Sequence, residues 1–596
     1  MGFIKNKISA IFICIFICVF LTVSLIGCTD QPPVDPNPDG DSLSFSEYAE
    51  ELFTLFLDGD GLSINLMLDN PEVYDFTSYN LYIATPSYDG AAVQESNNLI
   101  YLSLVEQISS YPCKTLDDEI TKSLLVNTLS VYAEYNNYNF REFLGNNGVL
   151  ANVPTYLEIY RFKNKNDIDL YIEYIDRLAV AFDDYLYFER FRCRNGYGRS
   201  DSFYESAITA YENIAPSDTT TANHNLTTDF SDRLADVSFE LSSAEIKDFE
   251  KRNLKAVDNL LNAYKKLSTD ITDLMEEFPT DTRNQGGLAS VDGGADYYKS
   301  LFKLKTGSSD SIETAVSKLV TSAKTYYNQA SFLYTSNIDA YLNEYYLSEA
   351  NAFTEANALA INQSLMTSFA DIMPGISNFP TVNINLLKSS QRTEFTSGYY
   401  VDSPIDNLNA PENIYINPDH NSSFLYSLIA HEGYPGHMYQ NVYLKNNQVN
   451  NLRYVFSNVG FAEGWAVYVE ELAASYISDD RTLTNAYKYS IYMEKFERAL
   501  VALVDILVNY YGYSIDEVSD ELSDYGLGFS EDIVKSLYDA TVLLPGVYLP
   551  YAYGDIMIKE IQSTYFSNVD VFEFHQALLN IGPVDFDTLK AYILLV

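Results

Sequence analysis

The segment HEGYPGH at residues 431–437 constrains the fold of this chain more than any other stretch. Two of the five histidines of the chain lie six residues apart there, and Glu432 follows the first of them. In the H-E-x-x-H arrangement of zinc hydrolases the histidines are four residues apart, so both rings face one metal and the Glu acts as general base. On an unbroken helix, the rings of His431 and His437 would diverge by roughly 120° and lie about 9 Å apart along the axis. A shared metal therefore requires a break in the helix between them.

The residues that cause such a break stand inside the segment. Pro435 lacks the N–H that a helix needs and clashes with the preceding turn, and Gly436 adopts backbone angles that other residues resist. The apolar run at 424–430 predicts a buried helix that carries the site and ends just after Tyr434. A kink or loop at that point would bring His437 back toward the first histidine, so that both rings could bind one metal ion.

Glu463, which lies 26 residues after His437, is the predicted third ligand. A catalytic zinc site takes three protein ligands and keeps one position for water or substrate. Phe461, Trp465 and Tyr468 recur at i, i+4 and i+7, so they predict a helix that packs through these aromatic rings while Glu463 projects from a different face.

Other residues of that predicted helix have supporting roles. Glu470 and Glu471 lie about two turns beyond Glu463, where they would either support the ligands or be solvated. Gly460 and Gly464 lack side chains, so they would permit a neighbouring helix to approach closely.

With these two segments the sequence resembles the bacterial domain of unknown function 885 (DUF 885) family, which is grouped with zinc metallopeptidases of the gluzincin type. The motifs that carry the resemblance are HEGYPGH at 431–437 and GFAEGWAVY at 460–468. Weaker matches are GADYY at 294–298, Tyr399-Tyr400 leading to Ile416-Asn417, and Pro545-Gly546 followed by Tyr551 and Gly554. The resemblance extends from about residue 45 to the C-terminus.

The resemblance implies one Zn²⁺ per chain, held by His431, His437 and Glu463, with Glu432 activating the zinc-bound water. The chemistry agrees with this division of roles. Zinc lowers the pKa of its water from 15.7 toward about 7, and a carboxylate within hydrogen-bond reach takes the proton and later delivers it to a leaving amine.

The attacked carbonyl develops negative charge, which calls for a hydrogen-bond donor facing the metal. Tyr551 is the first candidate for that donor, followed by Tyr548, Tyr553 and Arg498. The chain also departs from the family pattern, because DILVN at 505–509 stands where relatives carry D-x-G-[IL]-H. Asn509 donates a neutral hydrogen bond but cannot become a cation, so the chemistry would be altered if that His stabilises the transition state in relatives.

The N-terminus predicts export and lipid anchoring. Lys5 and Lys7 precede an apolar run, and LIGC at 25–28 resembles a bacterial lipobox. Residues 1–27 are therefore interpreted as a lipoprotein signal peptide, and Cys28 as the lipid-modified residue that attaches the protein to a membrane of the bacterial cell envelope. The alternative is an uncleaved transmembrane anchor, since the apolar stretch approaches the length that spans a bilayer. The polar, proline-rich residues 28–43 read as a flexible tether.

Charge excludes one class of partner. The formal net charge of −45 becomes −47 without residues 1–27, which carry two lysines and no acid. No basic stripe offsets repulsion from phosphate, so nucleic acid is not expected as a partner. Binding of cationic peptides, or a contribution to solubility, would account for the negative charge. Outside the signal peptide and the lipid site, the cysteines are Cys113 and Cys193, and the sequence leaves open whether they pair.

The fold class is predicted to be mainly α, a large helical metallopeptidase-like body with a few short strands lining a central cleft. SSAE at 242–245 is a capping box that opens a helix, and apolar residues recur at helical spacing from about residue 312 to 346. Strand-like runs occupy 381–385 and 413–416.

Residues 44–596 are predicted to form one unit, with an N-terminal helical half at about 44–339 and a metal-bearing half at about 340–596. A cleft between the halves would be an ordinary place for a ligand. Oligomeric state is not readable from the sequence.

The sequence thus predicts an exported, lipid-anchored, zinc-dependent hydrolase that cleaves peptide bonds. Two alternatives stay open: a metal-dependent amidohydrolase acting on a non-peptide amide, and a catalytically inactive, peptide-binding surface lipoprotein. The partner in each case is a peptide or amide, together with the membrane reached through Cys28.

Overall fold

Capping residues in the sequence set where many of the helices begin. In the computed structural model Ser242 caps the helix Ser243–Glu277, and its hydroxyl and the Glu245 carboxylate form the predicted capping box. Ser44 and Asn164 open two further helices with the same reciprocal pattern. The structure describes residues 44–596 with some exceptions. The excluded residues are 59, 78, 80, 82, 84–89, 136–139, 141–143, 146–147, 336, 389–390, 393–396 and 421–423, and the side chains of 90–97 are excluded as well. The predicted signal peptide, tether and lipid site at Cys28 lie outside the described residues.

The fold is mainly α, as predicted, with 69% of the described residues helical. The first thirteen helices are Phe45–Leu57 (α1), Gly61–Met67 (α2), Gly90–Ser110 (α3), Leu116–Tyr135 (α4), Val149–Ile159 (α5), Lys165–Arg194 (α6), Asp201–Ile214 (α7), Asn225–Asp236 (α8), Ser243–Glu277 (α9), Gly294–Thr306 (α10), Ile312–Leu333 (α11), Ile338–Tyr346 (α12) and Glu355–Ser368 (α13). The helices that follow the sheet are Leu425–Glu432 (α14), His437–Asn446 (α15), Leu452–Val455 (α16), Val459–Ala473 (α17), Arg481–Asn509 (α18), Ile515–Asp524 (α19), Glu531–Leu543 (α20), Leu549–Tyr565 (α21), Val571–Ile581 (α22) and Phe586–Tyr592 (α23).

The periodic stretch from about 312 to 346 is two helices rather than one. Helix α11 ends at Leu333, and α12 begins at Ile338. The apolar face is interrupted where α11 ends, because Phe332 in its last turn is 88% exposed and Tyr334 after it is 47% exposed. The helical spacing predicted over this stretch is therefore divided between two helices.

Three short strands form one mixed sheet in the order β1-β3-β2. Strand β1 (Val382–Leu386) runs parallel to β3 (Glu412–Ile416), and β2 (Gly398–Val401) runs antiparallel to β3. The two predicted strand-like runs correspond to β1 and β3, while the edge strand β2 was not predicted as a strand. Because β2 lies at the edge of the sheet, its backbone groups on the side away from β3 lie beside the helices that follow.

The buried apolar residues form two cores. The larger one contains residues from Phe45 to Phe140 and from Leu288 to Ile593, and it surrounds the predicted metal ligands. The second core runs mainly from Leu144 to Leu274 and holds helices α5 to α9 together. Residues on both sides of position 339 thus share the first core.

Helices α17 and α21 cross in close backbone contact through glycine. A Cβ on Gly464 would lie 2.4 Å from the Gly554 carbonyl carbon, and one on Gly554 would lie 2.0 Å from the Gly460 carbonyl oxygen. No side chain fits there, so the predicted close approach at Gly460 and Gly464 is present. This contact fixes α17, which carries Glu463, against α21, which carries Tyr551.

Cys113 and Cys193 are both free thiols. Cys193 is buried, and its Sγ lies 3.4 Å from the Tyr204 hydroxyl. The disulfide that the sequence left open is therefore not formed.

Among the helices that the structure describes, none combines the length and apolar character needed to cross a bilayer.

Replacing Gly464 by alanine is expected to lower the free energy of unfolding by about 1–3 kcal/mol, because the new methyl group would overlap the Gly554 backbone. Urea denaturation followed by circular dichroism measures the change. Gly375→Ala is the matched control, since a Cβ there has nothing within 4 Å. Equal stability of the two variants would contradict the proposed role of the helix contact.

Candidate metal centre

The helix that carries the first histidine ends earlier than the sequence predicted. Helix α14 spans Leu425–Glu432, and Gly433 follows it as the C-cap. A Cβ on Gly433 would lie 2.6 Å from the Asn362 side-chain oxygen, so the chain turns at the residue that has no side chain. Helix α15 then begins at His437 itself. The break predicted just after Tyr434 is present, but the first helix ends two residues sooner.

Side chains from other elements hold the turn between the two helices. The Tyr434 N–H donates to the Asn362 carboxamide oxygen at 2.9 Å, and the Trp465 indole N–H donates to the Pro435 carbonyl at 3.0 Å. The Tyr434–Pro435 peptide bond is cis. A Cβ on Gly436 would lie 1.8 Å from the His431 carbonyl oxygen, so the chain passes directly over the end of α14. This path returns His437 to His431.

The three predicted ligands meet at one buried point. His431 Nε2 lies 3.2 Å from His437 Nε2 and 3.4 Å from Glu463 Oε2, and His437 Nε2 lies 3.6 Å from the same oxygen. All three side chains are buried. Ligand atoms about 2.0–2.1 Å from a tetrahedral Zn²⁺ lie roughly 3.3–3.4 Å from one another, which is the spacing seen here. Among the described residues, this is the group of three that could hold a metal ion.

The Glu463 carboxylate provides the test of whether a cation fits. Its side chain has no exposed surface, and neither of its oxygens has a hydrogen-bond partner in the part of the chain that the structure describes. Burial opposes its ionisation, but the imidazoles of His431 and His437 hold the pKa of Glu463 below its ordinary value. A buried, ionised carboxylate facing two ring nitrogens is a donor set suited to Zn²⁺.

Glu470 orients the His431 ring by contacting the ring nitrogen that faces away from the other two proposed ligands. One Glu470 carboxylate oxygen forms a short hydrogen bond with His431 Nδ1, and the other accepts from Arg498 at 3.3 Å. Burial opposes ionisation of Glu470, yet the charges of Arg498 and His431 lower its pKa to about 2. A carboxylate on the outer nitrogen fixes the ring so that Nε2 points toward the metal position.

Burial and these carboxylates shift the pKa values of the two histidines in opposite directions. Burial disfavours the charged ring of His431, but Glu470 and Glu463 outweigh it and raise the pKa of His431 to about 10. Burial lowers the pKa of His437 to about 4. The ligand set without metal therefore holds one proton on His431, and a divalent cation would displace that proton.

Glu432 lies beside the ligands, held by the edge strand. The backbone N–H of Tyr400 in β2 donates to Glu432 Oε2 at 3.0 Å. Glu432 Oε1 is buried without a hydrogen-bond partner among the described residues. Burial, opposed in part by His431, raises the pKa of the Glu432 carboxyl to about 8. Tyr400 thus holds Oε2 of Glu432 in place, and Oε1 is left to contact a reacting group.

Tyr551 lies against the first histidine. Its ring stacks on the His431 ring with centroids 6.4 Å apart, and the Arg498 guanidinium lies 5.7 Å from the Tyr551 ring centroid. Tyr553, by contrast, donates its hydroxyl to Asp310 at 2.5 Å. Tyr548 precedes the first residue of α21 and is 8% exposed. Tyr551, the first candidate from the sequence, is therefore in ring contact with a proposed ligand.

Asn509 belongs to the scaffold. Its carboxamide oxygen accepts from the Leu288 N–H at 2.9 Å, and its NH₂ group donates to Asp505 at 2.7 Å and to the Thr541 carbonyl at 3.0 Å. None of these partners is one of the three proposed ligands. The departure from the D-x-G-[IL]-H pattern thus lies in a buried hydrogen-bond network that joins α18 to the segments around Leu288 and Thr541.

A cavity of about 660 Å³ opens beside His437. Its walls come from both sides of residue 339 and from all three strands, as predicted for a central cleft. Its lining includes the charged and amide side chains of Asp69, Glu158, Arg161, Arg233, Asp402 and Gln440. Sequence reasoning had identified none of these six, because their convergence depends on the packing of distant helices.

The chain combines a mainly helical fold with a buried His-His-Glu cluster and an adjacent glutamate. The chain belongs to the family described as "Bacterial protein of unknown function (DUF885)", whose model matches residues 85–593. The matched region begins at residue 85 rather than at about residue 45.

Solved structures share the fold. A "putative lipoprotein" from Colwellia psychrerythraea has a TM-score of 0.72 at 14% identity, with 92% of this chain and 98% of that chain covered. A "putative lipoprotein of unknown function" from Shewanella oneidensis has a TM-score of 0.59 at 15% identity, with 93% and 100% covered. No curated protein matches the chain.

Proposed function

We propose that this chain is an exported, lipid-anchored, zinc-dependent hydrolase that cleaves peptide bonds. The observation that carries the proposal is the buried cluster of His431, His437 and Glu463, with donor atoms 3.2–3.6 Å apart, beside the singly anchored carboxylate of Glu432. The gluzincin-like reading of the motifs agrees with this chemistry. The lipobox at Cys28 supports an envelope location, and so does the description of both structural neighbours as putative lipoproteins.

A zinc ion held by these three groups would supply Lewis-acid chemistry, which makes water a stronger acid and a carbonyl carbon a better electrophile. Glu432 takes the proton of the attacking water on Oε1 while the Tyr400 N–H holds Oε2 in place. The same carboxyl then delivers that proton to the nitrogen of the leaving amine. Burial raises the pKa of Glu432, so its carboxyl holds a transferred proton more readily than an exposed glutamate does.

Tyr551 is the proposed donor to the oxygen of the attacked carbonyl. It sits on the face of His431, and Arg498 lies over its ring. Arg498 itself holds Glu470, so we assign Arg498 a positioning role.

Purified protein is expected to contain about one zinc per chain by inductively coupled plasma mass spectrometry. His431→Ala removes a ligand, so its zinc content should fall below roughly one tenth of that value. His420→Gln is the control, because it removes a histidine outside the cluster and should retain the metal. Undiminished zinc in His431→Ala would show that the ligand assignment is wrong.

Glu432→Gln is expected to retain zinc but to cleave a mixed peptide library about 10²–10⁴-fold more slowly, because the amide cannot accept the proton. The exposed Glu355→Gln provides a charge-matched control. Full hydrolysis by Glu432→Gln would overturn the base assignment. Cleavage of non-peptide amides alone by the unsubstituted chain would identify an amidohydrolase, and absence of any cleavage would favour a binding lipoprotein.

Tyr551→Phe is expected to lower kcat about 10²–10³-fold with little change in zinc content, as removal of one donor to a developing oxyanion does. Tyr553→Phe is the matched control, since its hydroxyl donates to Asp310 instead. Steady-state kinetics on one cleaved peptide measures both variants. Equal kcat values for the two variants would exclude Tyr551 as the donor.

A further inference from the structure

We propose that the cavity beside His437 is a substrate subsite for a cationic group, an ammonium or a guanidinium, which Glu158 and Asp402 bind. This inference rests on the proposed hydrolase function, because it takes the cavity to hold the part of the substrate next to the reacting bond. It adds a substrate class, basic peptides, to that function.

The charges that line the cavity are predominantly negative. The acidic side chains are Asp69, Glu158, Asp236 and Asp402, and the basic side chains are Arg161 and Arg233. A cleft lined by an excess of carboxylates attracts a cation and repels an anion.

The guanidinium groups of Arg161 and Arg233 already have partners within the protein. Arg161 forms an ion pair with Asp69 at 2.6 Å and donates to the backbone carbonyl of Asn65. Arg233 donates to the Leu157 carbonyl at 2.9 Å and stacks on the Phe162 ring at 3.9 Å. These arginines therefore stabilise the cavity wall and do not offer a site for a substrate carboxylate.

Glu158 and Asp402 remain available to a ligand. Within the part of the chain that the structure describes, neither carboxylate makes a hydrogen bond or an ion pair. Lys388, whose charge reaches Glu158, is paired instead with Asp229 at 3.7 Å. Burial raises the pKa of Glu158 to about 7, and a bound cation would lower it, whereas Asp402 is exposed at the cavity.

Asp402 also lies close along the chain to the residue that contacts Glu432. It lies two residues beyond Tyr400, whose N–H contacts Glu432, and extended backbone spans roughly 7 Å over two residues. A cationic side chain of the substrate is long enough to reach Asp402 from a bond held near Glu432.

Gln440 is an independent indication that a ligand occupies this cavity. It lines the cavity one helical turn after His437, its residue is only 5% exposed, and its Nε2 has no hydrogen-bond partner among the described residues. A buried amide without a partner costs about 1–3 kcal/mol, which a polar group of a bound peptide would offset. The Gln440 Nε2 has no accessible surface in this conformation, so its side chain would rotate to donate to the substrate backbone while the two carboxylates bind the cationic group of the substrate.

Binding to the zinc-loaded, full-length chain carrying Glu432→Gln tests the proposal without requiring hydrolysis. The probes are fluorescent alanine-rich octapeptides, measured by fluorescence anisotropy. One set is N-acetylated with a single lysine at each position in turn, and a second set carries methionine in place of lysine. A third probe has methionine and a free α-amino group, which separates a side-chain cation from an N-terminal one.

The best lysine or free-amine probe is expected to bind about tenfold more tightly than its acetylated methionine counterpart, as one charge-assisted hydrogen bond would give. Combining Glu158→Gln with Asp402→Asn in that chain should reduce the preference to less than about twofold. Asp232→Asn is the matched control, since it removes one negative charge from α8 outside the cavity lining and should keep the preference. Each single variant provides the same comparison if circular dichroism shows that the double variant does not fold.

Absence of a cationic preference in the Glu432→Gln chain, or its persistence after both substitutions, would overturn the proposal. These outcomes are distinct from failure of the hydrolase assignment. Cleavage of uncharged peptides by the unsubstituted chain, with no preference in binding, would leave the hydrolase standing and remove the subsite. A cationic preference that Glu158 and Asp402 control, in a chain that cleaves nothing, would leave the subsite standing and remove the hydrolase.

Discussion

A carboxylate buried against two buried imidazoles is the constraint on which the rest of this structure depends. Ionised groups taken out of water cost several kcal/mol each unless charge and hydrogen bonds compensate them. Glu463 has no exposed surface and no hydrogen-bond partner among the described residues, so its compensation comes from the two histidines and, under the proposed function, from a cation held between them. The turn at 433–436, the glycine contact of α17 with α21, and the Glu470 carboxylate all serve to keep these three side chains together.

Two adjacent glutamates on α17 connect that cluster to different parts of the protein. Glu470 faces His431 and Arg498, while Glu471 pairs with Lys495 and Lys559 at 2.5 Å each. Lys495 also contacts Asp555 at 3.1 Å, and Asp555 accepts from the Tyr326 hydroxyl at 2.5 Å. The second network therefore joins α17 to α11, α18 and α21 by charge as well as by packing. The helix that carries Glu463 is thus held from behind by groups that lie outside the His-His-Glu cluster.

The sequence predicted the elements of the site better than their contacts. The spacing of the two histidines and the Pro-Gly pair required a broken helix, and the aromatic period around Glu463 predicted the helix that supplies it. The end of α14 at Glu432 was not predictable, because it depends on Asn362, about 70 residues earlier in the chain, lying where a side chain at Gly433 would go. The Tyr400 N–H that holds Glu432 comes from a short edge strand without a clear alternating pattern. Gln440 and the cavity carboxylates carry no motif, and only tertiary packing brings them together.

The position of Trp465 has a practical consequence. It is the only tryptophan of the chain, it is fully buried, and its indole donates to the carbonyl of Pro435 in the turn between the two histidines. Its ring also packs edge-on against His575 with centroids 5.6 Å apart. Indole emission depends on local polarity and hydrogen bonding, and the tryptophan emission of the unlabelled protein comes from one known place. The wavelength and intensity of that emission would follow the geometry of the turn between the two histidines in real time, without a dye or an engineered reporter.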